Sequence, residues 1–218
     1  MVSVVSVVGA QAQTPFPARF VEAGQTIVVP KGDYVQTRDC IVRQGGTLIL
    51  EAGARVRVSG LGVPVQVYGT LEVRGTAADP VVIEPDASGI CGTVAAYWVS
   101  GPRPRVIANH LQLTTTKNTN SMLLSFAEFA ISNSVIENRS TSASRVCILA
   151  GNNAVGSISD SYLKCLDDGI AETAGVVVGN GSASRQADDV ELVNVITEDC
   201  KDPVRIRKKF ALISGTIQ

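Results

Sequence analysis

Aromatic side chains are scarce in this chain: five Phe, four Tyr and one Trp make up 5% of 218 residues. The 45% hydrophobic content is therefore left to Val, Ile, Leu and Ala, and β-branched residues suit a pleated, half-buried surface. A large net charge of either sign is also missing. The formal value is -1, which argues against nucleic acid or an acidic membrane surface as partner. No apolar run approaches the roughly 20 residues that a membrane-spanning helix needs. No stretch sustains the i, i+3, i+4 spacing of an amphipathic helix. Histidine occurs once, at His110, with no partner at ligand spacing. The phosphate-loop, nucleophile-elbow and zinc-protease motifs are all absent. Hairpin signals are nearly absent too, because Asn180-Gly181 stands in a Gly/Ser stretch rather than between two tight strands.

What the chain does have is 20 glycines, nine prolines and a repeat. Gly46-Thr47-Leu48 returns one period later as Gly69-Thr70-Leu71. Further on, Ile107-Ala108-Asn109, Ile131-Ser132-Asn133, Ile158-Ser159-Asp160 and Leu192-Val193-Asn194 follow one another at widening intervals. Such a period describes units that cannot bury an apolar face alone and must stack on their neighbours. Each repeat holds about three short β-prone runs, one coil of a triangular prism whose strands pair in parallel with the next rung. The expected fold is all-β: a single-stranded right-handed parallel β-helix, a solenoid of about eight coils, each of roughly 23 to roughly 27 residues. In that frame Ile107, Ile131, Ile158 and Leu192 form an interior aliphatic row. Asn109, Asn133, Asp160 and Asn194 form a structural ladder where the chain bends between sheets.

Residues 1–12 read as a truncated signal segment or a first strand, and 13–218 as one β-helix domain. Val2 to Val8 is apolar and Ala10-Gln11-Ala12 has the small residues of a signal-cleavage site, but no Lys or Arg precedes them. The five cysteines, Cys40, Cys91, Cys147, Cys165 and Cys200, show neither a CxxC pair nor metal-ligand spacing. Buried core thiols are the expectation, with room for one disulfide between Cys165 and Cys200 on adjacent turns.

Gly46-Thr47-Leu48-Ile49-Leu50-Glu51-Ala52-Gly53-Ala54 and the run from Gly69-Thr70-Leu71 to Val81-Val82-Ile83 resemble the opening coils of right-handed β-helix proteins of bacterial surfaces. Ile131-Ser132-Asn133-Ser134-Val135-Ile136 resembles the repeat of the pectin-lyase-like superfamily, and the likeness runs from about position 25 to about position 205. The resemblance implies fold more than function, because that superfamily mixes lyases, hydrolases, adhesins and tailspikes. Asp167-Asp168 looks like the paired Asp of polygalacturonases, and Arg205-Ile206-Arg207 is similar to their Arg-Ile-Lys. The Asn-Thr-Asp and Gly-His-Gly motifs of that family are missing.

Candidate sites follow. Asp167, Asp168 and Arg205 are the catalytic candidates: paired carboxylates cleave glycosidic bonds, and a carboxylate-bound calcium with an Arg base serves lyases. Tyr97, Trp98, Arg207, Asp188 and Asp189 are binding candidates, since an aromatic doublet can stack a sugar ring and a basic cluster can meet an anionic glycan. A tight turn after a strand is the favoured reading of Asp167-Asp168-Gly169, ahead of a calcium or carbohydrate site and of a hydrolytic pair. The polar stretches 114–121 and 179–189 are expected to protrude, and loops on a rigid scaffold are where binding residues gather. The functional expectation is an exported, non-catalytic module for surface structure, adhesion or glycan binding, located in the medium, the periplasm or on the cell surface. The alternative is a lyase or glycoside hydrolase acting on acidic glycans. No cofactor is expected apart from room for calcium. The partners expected are a polysaccharide or cell-surface glycan, and a second copy through an uncapped C-terminal rung. Neither nucleic acid nor a membrane span is expected.

Overall fold

A computed structural model describes residues 13–166, 169, 172–179, 189–206 and 212–214. Its strands form three eight-stranded sheets, and every pairing between neighbouring strands is parallel. The chain visits the sheets in strict rotation. Thr14–Pro15 opens the first, Phe20–Val21 the second and Thr26–Val29 the third, and the cycle repeats eight times. The chain is a parallel β-helix.

Alternation within each strand decides which residues face the prism. In the third sheet one interior row runs Val29, Leu50, Val73, Ala108, Ile131, Ile158, Leu192, and every member is buried. The second sheet supplies Cys40, Val65, Val94, Met122, Ile148 and Val176 in register. A small residue offsets a large one in the neighbouring row Val106, Phe129, Gly156, Val190 of the third sheet. Phe129 sits above Gly156, where an added Cβ would lie 2.0 Å from the Phe129 carbonyl oxygen.

The register places one repeat differently from the sequence alignment. Ala108, not Ile107, stacks on Ile131. Ile107 is half-buried and faces outward, beside Arg105 and Glu128 in a shallow groove. One residue of slip reverses every side chain between core and solvent.

Coil length varies more than the phrase spacing suggests. Equivalent positions in the third sheet are Thr26, Thr47, Thr70, Arg105, Glu128, Val155, Asp189 and Leu212. The steps from Thr70 to Arg105 and from Val155 to Asp189 are the two long ones, and they are nearly equal. The fourth coil is thus as enlarged as the seventh. Its excess lies in the corners at 75–80, 86–93 and 98–104. Half of the polar run 114–121 lies in strands and only the short corner 116–119 connects them, with Lys117 and Thr119 exposed. Thr115 and Ser121 are fully buried, with their hydroxyls 2.5 Å apart.

Candidate functional site

The ladder positions turn the chain from the third sheet into the first. Asn133, Asp160 and Asn194 adopt φ of 50°, 47° and 51°, and the fourth residue in this left-handed position is His110 at 50°. Asn and Asp tolerate that region better than other residues with a Cβ. Asn109 stands one place earlier, at the end of its strand, paired with Ser132. It still joins the neighbouring rung: the Asn133 amide donates to Asn109 Oδ1 at 2.9 Å, and the Asn194 amide donates to Asp160 Oδ1 at 3.0 Å.

Two serines carry the bend as well, and the sequence pattern did not single them out. Ser134 Oγ accepts the Leu111 N–H at 3.1 Å and donates to the Ser132 carbonyl at 2.7 Å. Ser161 does the same one coil on, accepting from Ser134 N and donating to Ser159 O. Both are buried, so their hydroxyls satisfy backbone groups that the bend pulls out of ladder register. The Ser-Asn-Ser and Ser-Asp-Ser triplets were the available signal.

Among the described residues, the candidates singled out for chemistry stand in different places. Asp167, Asp168, Asp188 and Arg207 lie outside the described residues. Asp189 is exposed at the start of a strand in the third sheet, whereas Arg205 belongs to the second. The Arg205 guanidinium is engaged by Asp202, at 2.8 Å from Nε and 2.5 Å from Nη2, and by Glu172 at 3.1 Å. The Asp202 hydrogen bond, with the smaller contribution of Glu172, raises the Arg205 pKa above its ordinary value. Tyr97 shares the second sheet with Arg205 but stands four rungs away, about 19 Å at a rung spacing near 4.8 Å.

Tyr97 and Trp98 belong to a different arrangement, built by the enlarged fourth coil. After the strand Val94–Tyr97 the corner 98–104 folds back toward the N-terminal rungs of the second sheet. Gln44 clasps it, its side-chain amide donating to the carbonyls of Ser100 and Pro102. Trp98 Nε1 donates to Gly101 O at 2.8 Å, and the indole packs on Phe126 with centroids 5.3 Å apart. Arg103 ties the far end of the corner to the Asn153 carbonyl at 2.9 Å. Between this corner and the sheet lies an open groove of about 350 Å³, within the size range of small-ligand sites. Tyr68, Trp98, Val99 and Ile41 give it apolar walls, and Glu22, Arg43 and Gln44 give it a polar rim. Arg43 pairs with Glu22 at 3.1 Å and lies over the Phe20 ring. Tyr97 stands behind Tyr68, with centroids 6.1 Å apart, and burial raises its phenol above the usual range, as Tyr68 does to a smaller degree.

Sequence reasoning reached Tyr97 and Trp98 as a doublet but missed Tyr68, Arg43, Gln44 and the enlarged corner. The phrase Gly46-Thr47-Leu48, Gly69-Thr70-Leu71 has Pro104-Arg105-Val106 as its third copy, which shares no residue with it. The missing copy itself was the signal.

Three of the five cysteines, Cys40, Cys91 and Cys147, are free and buried, and burial pushes each thiol up to about 12. Cys165 and Cys200 form a disulfide. No helix among the described residues is long and apolar enough to cross a membrane. No protein-family model, curated protein or solved structure matches this chain.

Proposed function

We propose that the chain is an exported, non-catalytic β-helix module, right-handed and of the pectin-lyase-like, bacterial-surface type, that binds a glycan segment in the groove beside Trp98. The observation that carries this reading is the groove itself: an exposed indole and the Tyr68 ring on a rigid sheet, rimmed by hydrogen-bonding side chains. A pyranose ring offers an apolar face to an aromatic ring and hydroxyls to Gln44, Glu22 and Arg43. Right-handedness follows the general preference of parallel strand crossovers. The Cys165–Cys200 disulfide supports an oxidising destination, the medium, the periplasm or the cell surface. A glycan panel assayed for both binding and cleavage, with and without calcium, tests the proposal. Binding without product, lost in Trp98→Ala, is the expected result. Product formation, or binding that ignores Trp98, would sink it, and calcium-dependent cleavage would favour a lyase instead.

A further inference from the structure

Three sulfurs meet at the corner between the first and second sheets, one from each of three successive coils. Cys147 lies in the second-sheet strand Ser144–Gly151, and Cys165 ends the first-sheet strand Tyr162–Cys165. Cys200 stands one coil further, between Ile196–Glu198 and Asp202–Ile206. Cys147 Sγ is 3.9 Å from Cys165 Sγ, and all three sulfurs lie within 4.8 Å of one another. Cys147 and Cys165 are wholly buried in the main apolar core, and Cys200 packs against it.

The sulfurs form a triangle rather than a row, and this decides what they can do together. Thiol–disulfide exchange runs in line through the attacked sulfur. With an ordinary S–S bond of about 2.05 Å behind a 3.9 Å approach, the outer sulfurs would be about 6 Å apart. They are within 4.8 Å, so Cys147 flanks the disulfide and is poorly placed to attack Cys165. The Cys147–Cys165 edge already has the span of two ligands on one soft centre, and once the bonded Cys165–Cys200 edge opens the triangle can hold three. At a sulfur distance near about 2.3 Å, such ligands stand about 3.8 Å apart in tetrahedral and about 4.0 Å in trigonal geometry.

We propose that opening the Cys165–Cys200 disulfide turns Cys147, Cys165 and Cys200 into a three-thiol site for a trivalent thiophilic metalloid of the arsenous-acid type. Charge selects the valence. Three thiolates around a divalent ion would leave one net negative charge in an apolar core, which is costly. Around a trivalent centre the complex is neutral. A phosphine reductant opens the site: it becomes a phosphine oxide with oxygen from water, and the two hydrogens of that water complete the Cys165 and Cys200 thiols. Arsenous acid then forms three As–S bonds as three As–O bonds break. Each thiol proton leaves with one hydroxyl as water, and arsenic keeps its oxidation state.

Native mass spectrometry of the full chain, oxidised and phosphine-reduced, titrated with arsenite, tests this. The reduced protein is expected to gain one arsenic and lose three protons, and the oxidised protein to gain none. Cys147→Ala and Cys147→Ser should lose the three-proton species, whereas a Cys40→Ala, Cys91→Ala double variant should keep it. Absence of an adduct on the reduced chain, or an adduct indifferent to Cys147, would overturn the assignment. So would loss of the far-UV strand signal on reduction alone, because the site exists only while three coils are stacked.

Discussion

Ile107→Ala and Ile131→Ala alter the same residue type in the same repeated phrase, yet the structure requires them to differ sharply in cost. Ile131 is 1% exposed, stacked in the third sheet between Ala108 and Ile158. Truncating a buried Ile to Ala loses transfer free energy and leaves a cavity, together about 2–5 kcal/mol. Ile107 points outward between Glu72 and Ala130 in its sheet, so its truncation leaves no enclosed void and should cost less than about 1 kcal/mol. With a urea slope of roughly 2–3 kcal/mol per molar, Ile131→Ala should lower the midpoint by about 1–2 M and Ile107→Ala by under about 0.5 M. Far-UV circular dichroism reports all coils at once, which matters because a solenoid can lose cooperativity between distant repeats. Equal midpoint shifts at unchanged slope would refute the register and return Ile107 to the interior row.

Four further outcomes are expected. Trp98→Ala should weaken binding of any glycan that the wild type holds by about tenfold or more, equivalent to about 1.4 kcal/mol, with the strand signal unchanged, as calorimetry would show. At the left-handed corner, Asn133→Gly should leave the midpoint nearly unchanged, whereas Asn133→Val should cost about 1–2 kcal/mol or more; equal effects would mean that the conformation is not what selects Asn. Replacing both Cys165 and Cys200 with Ala removes a cross-link over a sequence separation of 35, and calorimetric melting should show a loss of about 3–4 kcal/mol. Alkaline pH should destabilise through the buried thiols. Their folded pKa is raised from 9.0 to about 12, so the fold favours the protonated form. That stability is complete below the unfolded value and is lost as pH rises toward the folded one, at about 1.4 kcal/mol per pH unit for each thiol. Cys40→Ala should remove one such increment, and an identical pH slope in that variant would contradict the burial.

Period and composition were enough to specify a parallel β-helix, because stacking a repeat of short apolar strands leaves few other ways to bury them. The Asn and Asp of the corner were legible for the same reason: only a few residue types tolerate a left-handed bend at Asn133, Asp160 and Asn194. The register at Ile107 was not legible. A phrase match cannot tell whether the bend falls after the Asn or on it, and His110 holds the bend in that coil. The groove was half legible. Trp98 stood out as the lone indole, but Tyr68, Arg43 and Gln44 lie a coil or more upstream and approach it only because the coil between Thr70 and Arg105 is enlarged. Arg205 was legible as a charged candidate, but its engagement by Asp202 and Glu172 is visible only in the structure. Periodicity is a local property that every coil repeats, so the sequence alone determined the rod. Which distant side chains share a corner depends on the summed lengths of the intervening loops, and only the tertiary structure decided that for the Trp98 groove and for the three sulfurs of Cys147, Cys165 and Cys200.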